Sequence, residues 1–184
     1  MNRISSASFI IKGLEYHYSN YIQLYGRYRL LKQQNKHISD YSDNCLPVIE
    51  MMKHEVVAYI NRLGQFYYFA TSKQNMEILD NPKNVIPKIT YFIPFRNKYS
   101  AHRAVDVLRS DDKLEHVQQI DMSFSFLSTF KGNRLVFHLI LDQTKDDIRE
   151  FDICTEHEHI IGETRNIMQI LNTSLKSAPN PGTI

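Results

Sequence analysis

The sequence predicts an α+β fold that is mainly α: a bundle of long helices with a small three-stranded antiparallel β-meander before the C-terminal helix. Three observations carry this. Apolar residues recur at three- and four-residue spacing over most of residues 7–105 and again beyond residue 155. Between residues 122 and 153 the period drops to two. Clusters of Asp, Asn, Ser, Gly and Pro punctuate the changes of pattern.

The first helix is predicted over residues 7–36, where Ile10, Leu14, Tyr18, Tyr21, Tyr25 and Tyr28 recur on one side. Gly13 and Gly26 weaken that helix without ending it. Residues 37–46, with Ser39-Asp40 and Ser42-Asp43-Asn44, read as a polar connector. Pro47 then suits the first turn of a second helix over residues 47–71, since its missing N–H costs nothing there. The apolar face of that helix is Val48, Met52, Val56, Tyr59, Leu63, Phe66 and Tyr67. Met76, Ile78 and Leu79 suggest a further helical turn, ended by Asp80-Asn81-Pro82.

Residues 85–105 send a mixed signal. Val85, Ile86, Ile89, Tyr91, Phe92 and Ile93 have strand propensity. Pro87 and Pro94 oppose a central strand, so a helix over residues 88–105, kinked or restarted at Pro94, is preferred. A short helix around residues 112–119 follows.

The meander is read over residues 122–153. Met122, Phe124 and Phe126 alternate with serines, and Lys131-Gly132-Asn133 makes a turn. Leu135, Phe137, Leu139 and Leu141 then alternate with Val136, His138 and Ile140. Ile148, Glu150 and Asp152 alternate with Arg149, Phe151 and Ile153 in the third strand. Thr155 with Glu158 forms a capping box for a last helix over residues 156–175, faced by Ile160, Ile161, Ile167, Met168 and Leu171. Residues 1–175 read as one domain, with 176–184 as a loose tail.

Composition narrows the function classes. With 184 residues, 42% hydrophobic and 23% charged, the chain is large enough for a core without disulfides or structural metal. The formal charge of +2 excludes a histone-like polycation. Cys45 and Cys154 form no CxxC pair, which excludes a thiolate zinc site. The apolar run Phe9-Ile10-Ile11 is too short for a secretory leader, and no stretch approaches a membrane span. The expectation is a cytoplasmic chain that does not enter a membrane and uses no cofactor and no metal. The six glycines form no phosphate loop. Charge is nevertheless uneven: residues 1–36 carry six Lys or Arg against Glu15, and residues 142–163 carry eight Asp or Glu against Lys145 and Arg149. Two solvated faces explain this; a basic helix meeting phosphate, with tyrosines to stack on bases, explains it too.

The segment richest in chemistry is Phe95-Arg96-Asn97-Lys98-Tyr99-Ser100-Ala101-His102. Histidine titrates near neutrality and can pass a proton in either direction. An arginine fork holds phosphate. On an ideal helix of about 100° per residue, Arg96 and His102 stand about 240° apart, so a shared cleft needs a bend, a helix end or a second chain. Phe95, Tyr99, His102 and Asp106 also form one stripe, on which His102 would simply border the core.

Arg96, Asn97 and His102 resemble the signature of the HEPN superfamily of helical-bundle proteins: an Arg and a His four to six residues apart, with a polar residue just after the Arg. The resemblance covers this motif and, loosely, the helices before it; the meander stands outside it. It implies an RNA-directed protein. Active members are metal-independent endoribonucleases, which would make His102 the general acid or base, Arg96 the phosphate clamp and Asn97 its support. Others bind without cutting, which implies a helical interaction module that forms a homodimer or docks a cognate protein partner.

Other constellations are weaker. Glu156-His157-Glu158-His159 is dense in metal-ligand types, but only Glu156 and His159 share a helix face. His54-Glu55 lacks the second His of a zincin, and Glu50 with His54 lacks the repeated partners of a di-iron bundle. Cys154 lies three before His157, a thin basis for a nucleophile. His138 alternates with apolar residues and belongs on the exposed or half-buried face of its strand.

Overall fold

The computed structural model describes residues 3–34, 38–79, 87–96, 126–131, 134–142 and 147–177. Over these the chain is mainly helical with a small antiparallel sheet, as the periodicities predict. The helices are α1 (Arg3–Gln34), α2 (Ile38–Ala70), the single turn α3 (Lys73–Met76), α4 (Pro87–Arg96) and α5 (Ile153–Ser177). The strands are β1 (Phe126–Lys131), β2 (Arg134–Asp142) and β3 (Asp147–Phe151), in the order β1-β2-β3.

The long helices bury side chains at alternating steps of four and three. In α2 the stripe is Cys45, Ile49, Met52, Val56, Tyr59, Leu63, Phe66 and Ala70, all buried. In α5 it is Ile153, His157, Ile160, Thr164, Ile167 and Leu171. In α1, Ala7, Leu14, Tyr21 and Tyr28 are fully buried at seven-residue intervals. Ile11, Tyr18 and Tyr25 pack half-buried between them. Such spacing keeps one seam of each helix turned to its neighbours. Contacts between residues 9 and 62, 17 and 55, and 20 and 55 make α1 and α2 antiparallel. Contacts of Tyr18 with His157 and Glu15 with Arg165 run α5 antiparallel to α1.

Two sequence-based boundaries need correction. Residues 38–46 are not a connector; α2 begins at Ile38 and carries Pro47 inside it. Cys45 extends the buried stripe one step upstream and supplies the reason. The carbonyl that Pro47 leaves without its helical donor belongs to Asp43, on the exposed side, where water can serve it. The polar residues Asp43 and Asn44 are the solvent face of a helix, not a loop. The helical turn placed near Met76 begins at Lys73, and Met76 is exposed while Leu79 is buried. Asn75 Nδ2 donates to Phe69 O at 2.7 Å and Thr71 Oγ1 to Tyr67 O at 2.8 Å, satisfying carbonyls at the end of α2.

The cap of the last helix also differs. Asp152, not Thr155, follows the strand and opens α5: its Oδ1 accepts from the Cys154 N–H at 3.0 Å. Its carbonyl accepts from the Glu156 N–H at 3.0 Å. Thr155 instead turns its Oγ1 back to the Asp152 carbonyl at 3.1 Å. An aspartate bonds orphan N–H groups at least as well as threonine and adds negative charge at the helix N-terminus.

The mixed segment resolves as helix over Pro87–Arg96, burying Ile89, Phe92 and Ile93 against the bundle. The short helix expected at residues 112–119 and the first residues of the expected meander, 122–125, lie outside the described residues. In the sheet, Leu127 pairs with His138 and His138 with Glu150. The register shifts between Ile140 and Asp142. Leu135, Phe137 and Phe151 are buried toward the helices. Phe151 meets Phe92 of α4 edge-on at 4.8 Å and Tyr59 of α2 at 6.1 Å. Tyr21 of α1 lies edge-on to Phe137 at 6.0 Å. Arg149 of β3 donates to the Tyr91 carbonyl of α4 and lies 4.5 Å over the Tyr91 ring.

Candidate functional site

Of the three residues of the signature, Arg96 is the last residue of α4, whose Ile89, Phe92 and Ile93 are buried beside α2. The side chain of Arg96, and all of Asn97 and His102, lie outside the described residues.

Elsewhere the fold assembles polar groups from different helices. The first assembly joins α1 to α2. His17 Nδ1 lies 2.7 Å from Glu55 Oε2, and Asn20 Nδ2 donates to Glu55 Oε1 at 3.2 Å. A carboxylate only accepts, so Nδ1 of His17 carries the hydrogen. His17 and Asn20 are three apart and so reach the same point on α2. The carboxylate is about three-quarters buried, with its side chain 23% exposed. It forms part of the wall of a groove of about 460 Å³ lined by Asn20, Gln23, Leu24 and Arg27 of α1 and by Met51, His54 and Glu55 of α2. Leu24 and Met51 supply apolar surface; the other groups are donors, acceptors or cations.

The second assembly is buried where α1, α2 and α5 meet. Tyr59 Oη and His157 Nδ1 are 3.0 Å apart. The ring of Tyr18 stacks on His157 with centroids 3.7 Å apart and planes 7° from parallel. Burial is the main cause that lowers the His157 pKa from its ordinary value, against Glu158 and Glu15, which favour its charge. Burial likewise raises the hydroxyls of Tyr59 and Tyr18. His157 is therefore a core residue in its neutral form. The dense run at residues 156–159 is not brought together, because His157 points into the core while Glu158 and His159 are exposed. Among the described residues, no three His, Cys, Asp or Glu side chains converge as a metal-binding group.

A third assembly crosses the exposed face of the sheet. Thr129 Oγ1 and His138 Nε2 are 2.6 Å apart, and His138 Nδ1 is 4.0 Å from Glu150 Oε1. Lys131 bonds both oxygens of Glu150 at 2.5 Å and holds its carboxyl below the ordinary carboxylate range. His138 is half-buried, as its strand alternation predicts. Cys45 and Cys154 form no disulfide; Cys45 is buried and Cys154 partly so. No described helix is long and apolar enough to cross a membrane.

Sequence reasoning missed the pairing of His17 with Glu55 because the two stand 38 positions apart, and Glu55 was weighed only beside His54. It left His157 off the apolar face of α5, although His157 lies three and four residues before Ile160 and Ile161. That spacing was the available signal. A scan against protein-family models, a search of curated proteins and a search of solved structures each found no match.

Proposed function

We propose that this chain is an RNA-directed protein of HEPN type, with a metal-independent endoribonuclease centre made by His102, Arg96 and Asn97. The observation that carries this reading is the Arg96-Asn97-x4-His102 spacing, which begins at the end of a helix packed into a bundle of long helices. Helix α1 adds support, since Lys12, Arg27, Arg29 and Lys32 are exposed along it, and so is Tyr16 at 62%. Cations meet phosphates and an exposed ring can stack on an unpaired base.

The chemistry follows from the residue types. RNA carries its own nucleophile, the 2′-hydroxyl. His102 would take its proton or give one to the departing 5′-oxygen. Arg96 would hold the phosphate and offset charge gathering on its oxygens. Asn97 would orient one of these partners. Attack of the 2′-oxygen on phosphorus breaks the bond to the 5′-oxygen and leaves a 2′,3′-cyclic phosphate. Cleavage of RNA in EDTA, lost in His102→Ala and Arg96→Ala, is the expected result.

A second reading, a non-catalytic helical interaction module, is favoured by a different feature. Phe9, Tyr16 and Leu30 are 58%, 62% and 60% exposed and fall at multiples of seven along α1. They make an outer stripe opposite the buried one, of the kind a second helix covers. A homodimer or a docked protein partner would seat there. Light scattering that gives twice the chain mass, and one chain mass for Tyr16→Lys with Leu30→Lys, supports the homodimer form.

A further inference from the structure

Resting on the RNA-directed reading, we propose that the groove between α1 and α2 is a nucleotide subsite that prefers guanine. The recognising group is Glu55. His17 and Asn20 each donate to one of its oxygens and hold the carboxylate plane still, and each oxygen keeps a second lone-pair position. A carboxylate held this way offers two parallel acceptors. Among the four RNA bases only guanine presents two adjacent donors, N1–H and N2–H, on its pairing edge. Adenine and cytosine set a donor beside an acceptor, and uracil sets its one N–H between two carbonyls. Unpaired bases in RNA are read on that edge.

The rest of the groove fits the rest of a nucleotide. Leu24 and Met51 provide apolar surface for a base face. Arg27 stands one helical turn beyond Leu24, and His54 three residues beyond Met51, so both border the same groove. Neither makes an ion pair or hydrogen bond with another described residue, which leaves both for a phosphate. A groove of about 460 Å³ holds one nucleotide and not a duplex. Discrimination by a two-bond contact of this kind is worth roughly tenfold over a base that cannot make it.

The test titrates the full chain with 5′-GMP, AMP, CMP and UMP, following the Met51 methyl resonance. The expected result is saturable GMP binding, about tenfold tighter than AMP. Glu55→Gln should abolish that preference, since an amide replaces one acceptor by a donor. Arg27→Glu, at an exposed position that leaves the fold intact, should weaken all four nucleotides. GMP that does not saturate the wild type, or that binds Arg27→Glu as well as wild type, overturns the proposal. The titration is repeated in His102→Ala. GMP binding there with no RNA cleavage by the wild type sinks the nuclease reading and keeps the subsite. RNA cleavage with no GMP binding does the reverse.

Discussion

The ring of Tyr18 in α1 lies parallel to the imidazole of His157 in α5, 3.7 Å away, while Tyr59 of α2 reaches the same imidazole through its hydroxyl. One neutral histidine thus ties three helices together in the core.

That arrangement sets a pH dependence. The folded-state pKa of His157 lies below its ordinary value of 6.5, chiefly through burial. As pH falls below about 6.5, the unfolded chain takes a proton on this ring and the folded chain does not, so stability falls, by at most about 1.4 kcal/mol per pH unit. Glu158 and Glu15 narrow the window and Arg165 widens it. Urea midpoints measured between pH 5 and 8 should decline toward acid in the wild type and decline less in His157→Phe. Equal slopes would contradict this account of His157.

Tyr59→Phe removes the hydroxyl beside His157 Nδ1 and leaves that nitrogen buried without its partner. The expected loss is about 1–2 kcal/mol at pH 7, read from denaturant unfolding. A loss indistinguishable from zero would mean that the 3.0 Å contact contributes nothing.

The start of α5 offers a cleaner comparison. Asp152 bonds the Cys154 N–H through its side chain, whereas Thr155 bonds only the Asp152 carbonyl. Asp152→Ala should cost about 1 kcal/mol, and Thr155→Ala clearly less. The reverse order in thermal melts would restore Thr155 as the cap.

Two glycines of α1 should behave differently. A Cβ at Gly26 meets nothing within 4 Å, so Gly26→Ala should stabilise the protein by about 0.5–1 kcal/mol through helix propensity. A Cβ at Gly13 would come within 2.9 Å of Arg62 Nε, whose guanidinium lies 5.4 Å over the Phe9 ring. Gly13→Ala must move that side chain and should gain less. Thermal melts of both variants decide it.

Much of the architecture was legible in the sequence because each long helix repeats its apolar residues at helical spacing. The stripe from Val48 to Phe66 needed no tertiary information. Legibility failed where a solvent face mimicked a loop, as in Asp43 and Asn44 ahead of Pro47. It failed again where two local caps competed, because choosing between Asp152 and Thr155 requires the end of β3. The proposed site was legible only as a motif. Arg96, Asn97 and His102 stand close in sequence, while Glu55, His17 and Asn20 meet only once α1 lies antiparallel on α2.

The most direct measurement is cleavage of single-stranded and structured RNA in EDTA by the wild type and His102→Ala, with the product ends identified. The account predicts cutting by the wild type, loss of cutting in His102→Ala, and 2′,3′-cyclic phosphate ends. Intact RNA with the wild type, or equal cutting by the variant, would contradict it.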